Sequence, residues 1–451
     1  MSSLRHSTRL RRIVGAYTVN RLGTWFGFVA LSVAVYDRTH NALAVAALLV
    51  SGQIFPALLS PALVARIEAI PRRGALSFLY LVEAVATIAL AVLLSHFWLP
   101  AVLILVAFDG TAALAASALL RAAAAKTAYG ERFGSAASTE PSADDGHPGR
   151  HEAEREVNAA LNIAFSGTFM LGPALAGVVV ATAGAPAALF VDAASFLICA
   201  AMLGDQRPYL EATDDESSVR SRLRAAWLHI GTMPALRRLM IAEALALIFF
   251  EFAGPIEVVY AKVTLHAGNS GYGLLLTAWG VGVVGGSMFF ARSAHRSVGV
   301  LLSAGTLAVG AAYIGFAAAS TLVVACLAAV CGGLGNGVQW ASLVSAVQRL
   351  TPQRLHGRLM GAVESLGALC PVIGLSLGGA LVAISSPRTA FLIAGLGALL
   401  TTAMFLRIPF DASEARSDGE SLDAVATPSE ATERVPGGDA STGIQQLGPT
   451  P

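Results

Sequence analysis

The sequence predicts an all-α membrane protein: twelve transmembrane helices in two pseudo-symmetric six-helix halves. Three observations carry this prediction: a composition poor in charge, twelve apolar segments of bilayer length, and an internal repeat. Of 451 residues, 55% are hydrophobic and 13% charged, where soluble domains carry about a quarter charged. A chain of that composition is built to lie mostly in lipid.

The apolar segments fall near 13–36, 43–65, 75–95, 99–121, 158–182, 186–204, 238–261, 271–291, 298–318, 321–345, 359–384 and 389–406. Each is roughly 20 residues, enough to cross ~30 Å of hydrocarbon at ~1.5 Å per residue. The basic start, "MSSLRHSTRLRR", precedes an apolar run too long for a signal-peptide core, so the run is expected to stay as the first span. Loop charge then sets an orientation. If the N-terminus is cytoplasmic, the outward loops hold only Arg38, Lys262 and Arg388, whereas 26 of the 30 Lys and Arg face the cytoplasm. Under the positive-inside rule both termini are expected in the cytoplasm of a cell-inner-membrane protein.

The repeat divides the chain. "GPALAGVVVATAGAPAALF" from Gly172 aligns without gaps to "GLSLGGALVAISSPRTAFL" from Gly374, an offset of 202, pairing Gly172 with Gly374 and Gly177 with Gly379. The expected organisation is a cytoplasmic N-terminus (1–12), a first half (13–204), a linker (205–237), a second half (238–407) and a cytoplasmic tail (408–451). Residues 126–157 and the acidic tail are polar and rich in small residues, and are expected to be disordered. In the linker, "VRSRLRAAWLHI" reads as an interfacial helix.

Several function classes are excluded. The four cysteines, Cys199, Cys326, Cys331 and Cys370, lie in apolar segments and form no CxxC pair. Only two lysines occur and no GxxxxGK[ST] loop, so ATP hydrolysis by that route is ruled out. No HExxH or GxSxG is present, and His147 and His151 in the polar insert read as solvated. The protein is expected not to be an enzyme, to need no cofactor, to bind no nucleic acid and to work as a monomer in the bilayer.

At this point the residues resemble a known family. "GTFMLGPALAGVVVATAGAPAALFVDAASFLICA" resembles the fifth and sixth helices of the bacterial macrolide and siderophore (enterobactin-type) exporter branch of the major facilitator superfamily. "GYGLLLTAWGVGVVGG" resembles its helix eight, and "QRLTPQRLHGRLMGAVESLG" the approach to helix eleven. Gly172, Pro173 and Gly177 resemble the Gly-Pro-x-x-Gly-Gly antiporter motif, with alanine in place of its first closing glycine. Its loop motif between helices two and three survives as Glu68, Arg72 and Arg73, without the glycines. The resemblance covers about residues 13–407. It implies export of a small amphipathic or hydrophobic compound, macrolide-like or siderophore-like, by alternating access and proton antiport. An importer or uniporter of the same fold, or a polytopic sensor or enzyme, is the alternative.

The candidate site rests on charges that should lie in lipid: Arg21, Glu83, Asp109, Asp192, Glu243, Glu251, Glu257 and Glu364. A charge there is costly unless paired, wetted or neutralised, and marks a functional site by default. Counted from the span ends, Arg21, Asp109 and Glu251 lie deepest, ~13–20 Å in. The resemblance implies that helices one, four, seven and ten line a central cavity, which selects Arg21, Asp109, Glu243, Glu251, Asn336, Gln339 and Trp340. A carboxylate held in low dielectric readily exchanges its proton. The expectation is that Glu251 or Asp109 carries the coupling proton while Arg21 tunes the acid; a static Arg21–Asp109 pair is the alternative. Glu83 and Glu364 read as interhelical contacts, Asp192 as structural and Glu257 as an acid at the outer mouth. Trp25, Phe26, Phe55, Phe249, Phe250, Phe252 and Trp340 are candidates for an aromatic cavity wall, and Gly254-Pro255 for a break in the seventh helix.

Overall fold

In the computed structural model the described residues are 7–69, 74–133, 148–204, 230–231, 233–293, 296–350 and 356–408. They are helical throughout, with no strand among them. The twelve principal helices are α1 (Thr8–Thr39), α2 (Ala42–Ala69), α3 (Ala75–Leu93), α4 (Leu99–Phe133), α5 (Pro148–Ala183), α6 (Ala185–Met202), α7 (Pro234–Glu251), α8 (Gly268–Arg292), α9 (Val298–Ala318), α10 (Leu322–Arg349), α11 (His356–Ile384) and α12 (Pro387–Phe405). Twelve spans are long and apolar enough to cross a membrane, α7 and its continuation making one of them. Large side chains such as Leu58, Ile104 and Val323 stand 69% exposed on the outside. A soluble protein would not display such a surface, whereas lipid solvates it at no cost.

The helices run further than the hydropathy predicts. The alanine-rich end of α4 continues to Phe133, and α5 starts at Pro148 with the good helix formers Glu152, Glu154 and Arg155. Residues 126–133 and 148–157, expected to be disordered, therefore belong to helices. The interfacial helix expected in the linker, Arg72, Arg73 and the tail beyond residue 408 lie outside the described residues.

The seventh span is broken. Pro255 has no N–H to offer the Glu251 carbonyl, and its ring crowds that oxygen. Accordingly α7 stops at Glu251, a short helix covers Ala253–Val259, and a wide π turn covers Tyr260–Thr264. The Tyr313 hydroxyl donates to the Phe250 carbonyl beside the break (3.0 Å). At Pro173, by contrast, α5 runs on without interruption.

Packing repeats between the halves. In the first, α1 packs on α5 and α6, α2 on α4, and α3 on α4 and α6; in the second, α7 packs on α11 and α12, α8 on α10, and α9 on α10 and α12. The halves meet along two seams, α5 with α8 and α2 with α11. Both seams depend on the glycines of the sequence repeat. A methyl carbon on Gly177 would lie 2.9 Å from Gly273 Cα across the α5–α8 seam. On Gly379 it would lie 2.6 Å from Ala46 Cβ across the α2–α11 seam. Lipid supplies no hydrophobic drive between helices, so such close approach, with its dispersion contacts, holds the halves together.

The buried apolar side chains form three clusters with different reach. One draws on both halves and gathers at the arginine-poor end, from Val29–Tyr36 in α1 to Ile256–Ala261 and Phe391. The other two gather at the arginine-rich end, one built from the first half (Leu10, Leu76, Leu120, Leu203) and one from the second (Leu236, Leu343, Phe405). Among the described residues, then, the shared core closes one end of the bundle only. All three bases at that end have structural partners. Arg38 donates to the Leu94 carbonyl (3.0 Å), Arg388 to the Ala319 carbonyl (2.9 Å), and Lys262 pairs with Asp37 from the other half. The two arginines complement the negative ends of helices.

Gly177→Val should disrupt the α5–α8 seam, because backbone rather than a flexible side chain blocks the added group. The expected loss is about 1–3 kcal/mol, read as a lower melting temperature of the purified protein. Gly167, with open space around it, provides the control: Gly167→Ala should melt at or above wild type. Equal melting of all three proteins would refute the seam.

Candidate functional site

Among the described residues two chambers lie within the bundle, one chiefly in each half. The first, about 550 Å³, is walled chiefly by α1, α2, α4 and α6 and contains Arg21, Asp109 and Asp192. The second, about 290 Å³, is walled chiefly by α7 and α10 and contains Glu243, Glu251, Asn336, Gln339 and Trp340. They share Gly367 of α11. The seven residues selected from sequence all face a chamber, but Arg21 and Asp109 are separated from the other five.

In the first chamber Arg21 forms no ion pair among the described residues, so the static Arg21–Asp109 pair is absent. Its guanidinium lies between two aromatic rings, 5.3 Å from Tyr17 and 5.8 Å from Phe165. Rings satisfy a cation by their negative faces and leave nearby carboxylates free. Asp109 Oδ1 and Asp192 Oδ1 are buried without hydrogen-bond partners. Glu83, expected to bridge helices, is fully buried with both carboxyl oxygens unpartnered.

Asp192, read from sequence as structural, is buried at 5% exposure and lines the first chamber. Its seat consists of Gly23 and Gly27, one helical turn apart on α1: a methyl carbon on Gly23 would lie 2.9 Å from Asp192 Oδ1, and one on Gly27 would strike Oδ2. A glycine pair at i and i+4 opposite an acid was the available sequence signal.

In the second chamber, Gln339 donates to Glu243 Oε2 (3.1 Å), tying α10 to α7 where both side chains are buried. Glu251, the last residue before the break, is held by Gly374 of α11: a methyl carbon there would lie 2.8 Å from Glu251 Cβ. Lys262, at the outer edge of the span that carries Glu257, pairs with Asp37. Of the seven candidate aromatics, Phe250 and Trp340 line the second chamber, while Phe28 and Phe196, which were not among the candidates, line the first. Trp25 packs on Gly172 (2.5 Å to an added carbon) and Phe249 on Gly397, while Phe26 and Phe252 are buried in the shared core and Phe55 is 48% exposed on the surface.

Of the motif residues, Gly172 admits Trp25 of α1, and Pro173 and Gly177 meet Gly273 of α8, so the motif sits at the joint of α1, α5 and α8. Glu68 is in α2, with its side chain outside the described residues. No group of three His, Cys, Asp or Glu side chains able to hold a metal occurs among the described residues.

Twelve spans in two equivalent halves, seamed at two places around inward-facing charges, are the architecture that many secondary transporters use. Comparison with known proteins agrees. Residues 239–438 match the family model of the Major Facilitator Superfamily. The multidrug efflux pump Tap of Mycobacterium tuberculosis (strain H37Rv) is 26% identical over 264 residues, 56% of this chain. That match spans 61% of the relative's length, and Tap of Mycobacterium bovis (strain BCG / Pasteur 1173P2) matches equally. Among solved structures, the nucleoside transporter NupG superposes with a TM-score of 0.66 at 10% identity, covering 89% of this chain and 99% of NupG. A bacterial homologue of the iron transporter ferroportin, in an inward-facing state, gives 0.66 at 17% identity, covering 88% and 98%. The second half of the chain is thus similar to the Major Facilitator Superfamily, and the described helices share the fold of these solved transporters.

Gln339→Leu should strand the buried Glu243 carboxyl and cost about 1–3 kcal/mol, whereas Glu243→Gln keeps an amide partner and should cost less. Thermal melts of the two variants test this. The prediction fails if Gln339→Leu melts like wild type.

Proposed function

We propose that this transporter exports a small amphipathic or hydrophobic compound in exchange for protons, from the inner membrane and with both termini in the cytoplasm. One observation carries the reading: the halves share a core at the arginine-poor end only, leaving two acid-lined chambers toward the arginine-rich end. With the arginine-rich end in the cytoplasm, as loop charge favours, this is the cytoplasm-open state, ready to load an exporter. The similarity to a multidrug efflux pump and the Gly172-Pro173 motif support the outward direction.

In the cycle, substrate enters from the cytoplasm and the cytoplasmic ends of the halves close on it. The two glycine seams then part and the chambers open outward. Glu251 or Asp109 picks up a proton there and releases it inside. Neither acid has an ion-pair partner among the described residues, so protonation changes the net charge of its chamber. That charge difference biases the two states, as coupling requires.

The test uses inverted vesicles from an exporter-deficient bacterium and a panel of fluorescent compounds. Acidifying the vesicle interior should drive uptake, corresponding to export in the cell. Glu251→Gln or Asp109→Asn should bring gradient-driven uptake to background while substrate–substrate exchange survives. If both variants transport at the wild-type rate with unchanged pH dependence, neither acid carries the proton. Gradient-driven loss of compound from the vesicles would identify an importer instead.

A further inference from the structure

We propose that Asp192 is the substrate-binding carboxylate of the first chamber and that the compound it takes is an organic cation with an apolar body. The proposal rests on the transport reading above and names the substrate class of that site. Two carboxylates, Asp109 and Asp192, face this chamber against one guanidinium, and Arg21 is already occupied by the rings of Tyr17 and Phe165. Of the two acids Asp192 is the more deeply buried, and its unpartnered Oδ1 is cut off from water. A buried carboxylate without a counter-charge is costly, and a bound ammonium or phosphonium removes that cost.

The seat supports the assignment. Gly23 and Gly27 leave α1 bare where the carboxylate lies, so α6 can present Asp192 to the chamber without displacing α1. The rest of the wall is apolar, with Phe28, Leu31, Val106, Leu114 and Phe196 among its members. A volume of about 550 Å³ fits a drug-sized molecule, within the usual range of ~300–1,000 Å³. A divalent metal is disfavoured because no three ligating side chains converge among the described residues. The charged and titratable groups that face Asp192 are Asp109 on α4, Glu83 on α3 and Cys199 on α6, and Arg21 of α1 lines the same chamber.

Binding to purified protein separates this proposal from the transport reading, because no gradient or turnover is needed. The probes are tetraphenylphosphonium and tetraphenylborate, equal in shape and opposite in charge. Wild type should bind the cation and discriminate against the anion. Asp192→Asn should weaken cation binding about ten- to hundredfold, and Gly27→Ala, which displaces the carboxylate, should weaken it in the same sense. Asp37→Asn, at the far end of α1, should leave binding unchanged. If the variants do not fold, the wild-type protein still decides: tetraphenylphosphonium should protect Asp192 from modification by dicyclohexylcarbodiimide, read by mass spectrometry. Wild-type affinity in Asp192→Asn, equal binding of the anion, absence of protection, or displacement of the probe by Mn²⁺ at equimolar concentration would each overturn the proposal. Cation binding without gradient-driven transport would leave Asp192 assigned and the antiport reading refuted.

Discussion

The structure depends on close backbone approach across two seams. Helices in lipid gain nothing by hiding apolar surface from one another, because the solvent is equally apolar. What holds two six-helix halves together must therefore be short-range packing, which needs small residues wherever the axes meet. Gly177 against Gly273 and Gly379 against Ala46 supply it, at positions related by the internal repeat. Such contacts are strong only at van der Waals distance and carry no ionic cost when separated. That would suit an interface that opens and closes, as the proposed cycle requires.

The same repeat positions the chemistry. Gly172 on α5 admits Trp25 of α1, and its counterpart Gly374 on α11 admits Glu251 of α7. Equivalent helix joints thus hold an aromatic ring in one half and a carboxylate in the other. The scaffold is symmetric and its contents are not. The larger chamber, in the first half, combines apolar wall with free acids. The smaller, in the second, holds a broken helix, two glutamates and the Gln339–Glu243 hydrogen bond.

Most of the fold was legible in the sequence for a physical reason. A backbone in hydrocarbon must satisfy its own hydrogen bonds, so apolar runs of bilayer length can only be helices. The twelve spans and the break before Pro255 followed from that rule and from proline's missing donor. The site was legible in depth but not in direction. Counting from a span end gives the height of Asp109 or Glu251, yet not which neighbour each side chain faces. Arg21 was placed correctly along α1, but its rings on Tyr17 and Phe165 depend on helix rotation, which apolar composition does not encode. Trp25 and Phe249 failed as wall residues on the same ground, each being absorbed by a glycine on an adjacent helix. The place of Asp192 in the chamber wall was not legible from α6 alone, because its seat is formed by Gly23 and Gly27 on another helix.

Among the described residues the two chambers share Gly367, while the halves that contain them share one core and two seams. In the proposed cycle, a charge change in either chamber would therefore act on a common rigid-body equilibrium rather than through a wire of side chains between them. An acid that is neutral in one state and ionised in the other shifts that equilibrium by its differential solvation, wherever in the bundle it sits. On the proposed antiport reading, substrate and proton would then need no contact to be coupled, each requiring only different surroundings in the two states. Unpartnered buried acids meet that requirement better than salt-bridged ones, since a fixed partner would equalise the two environments.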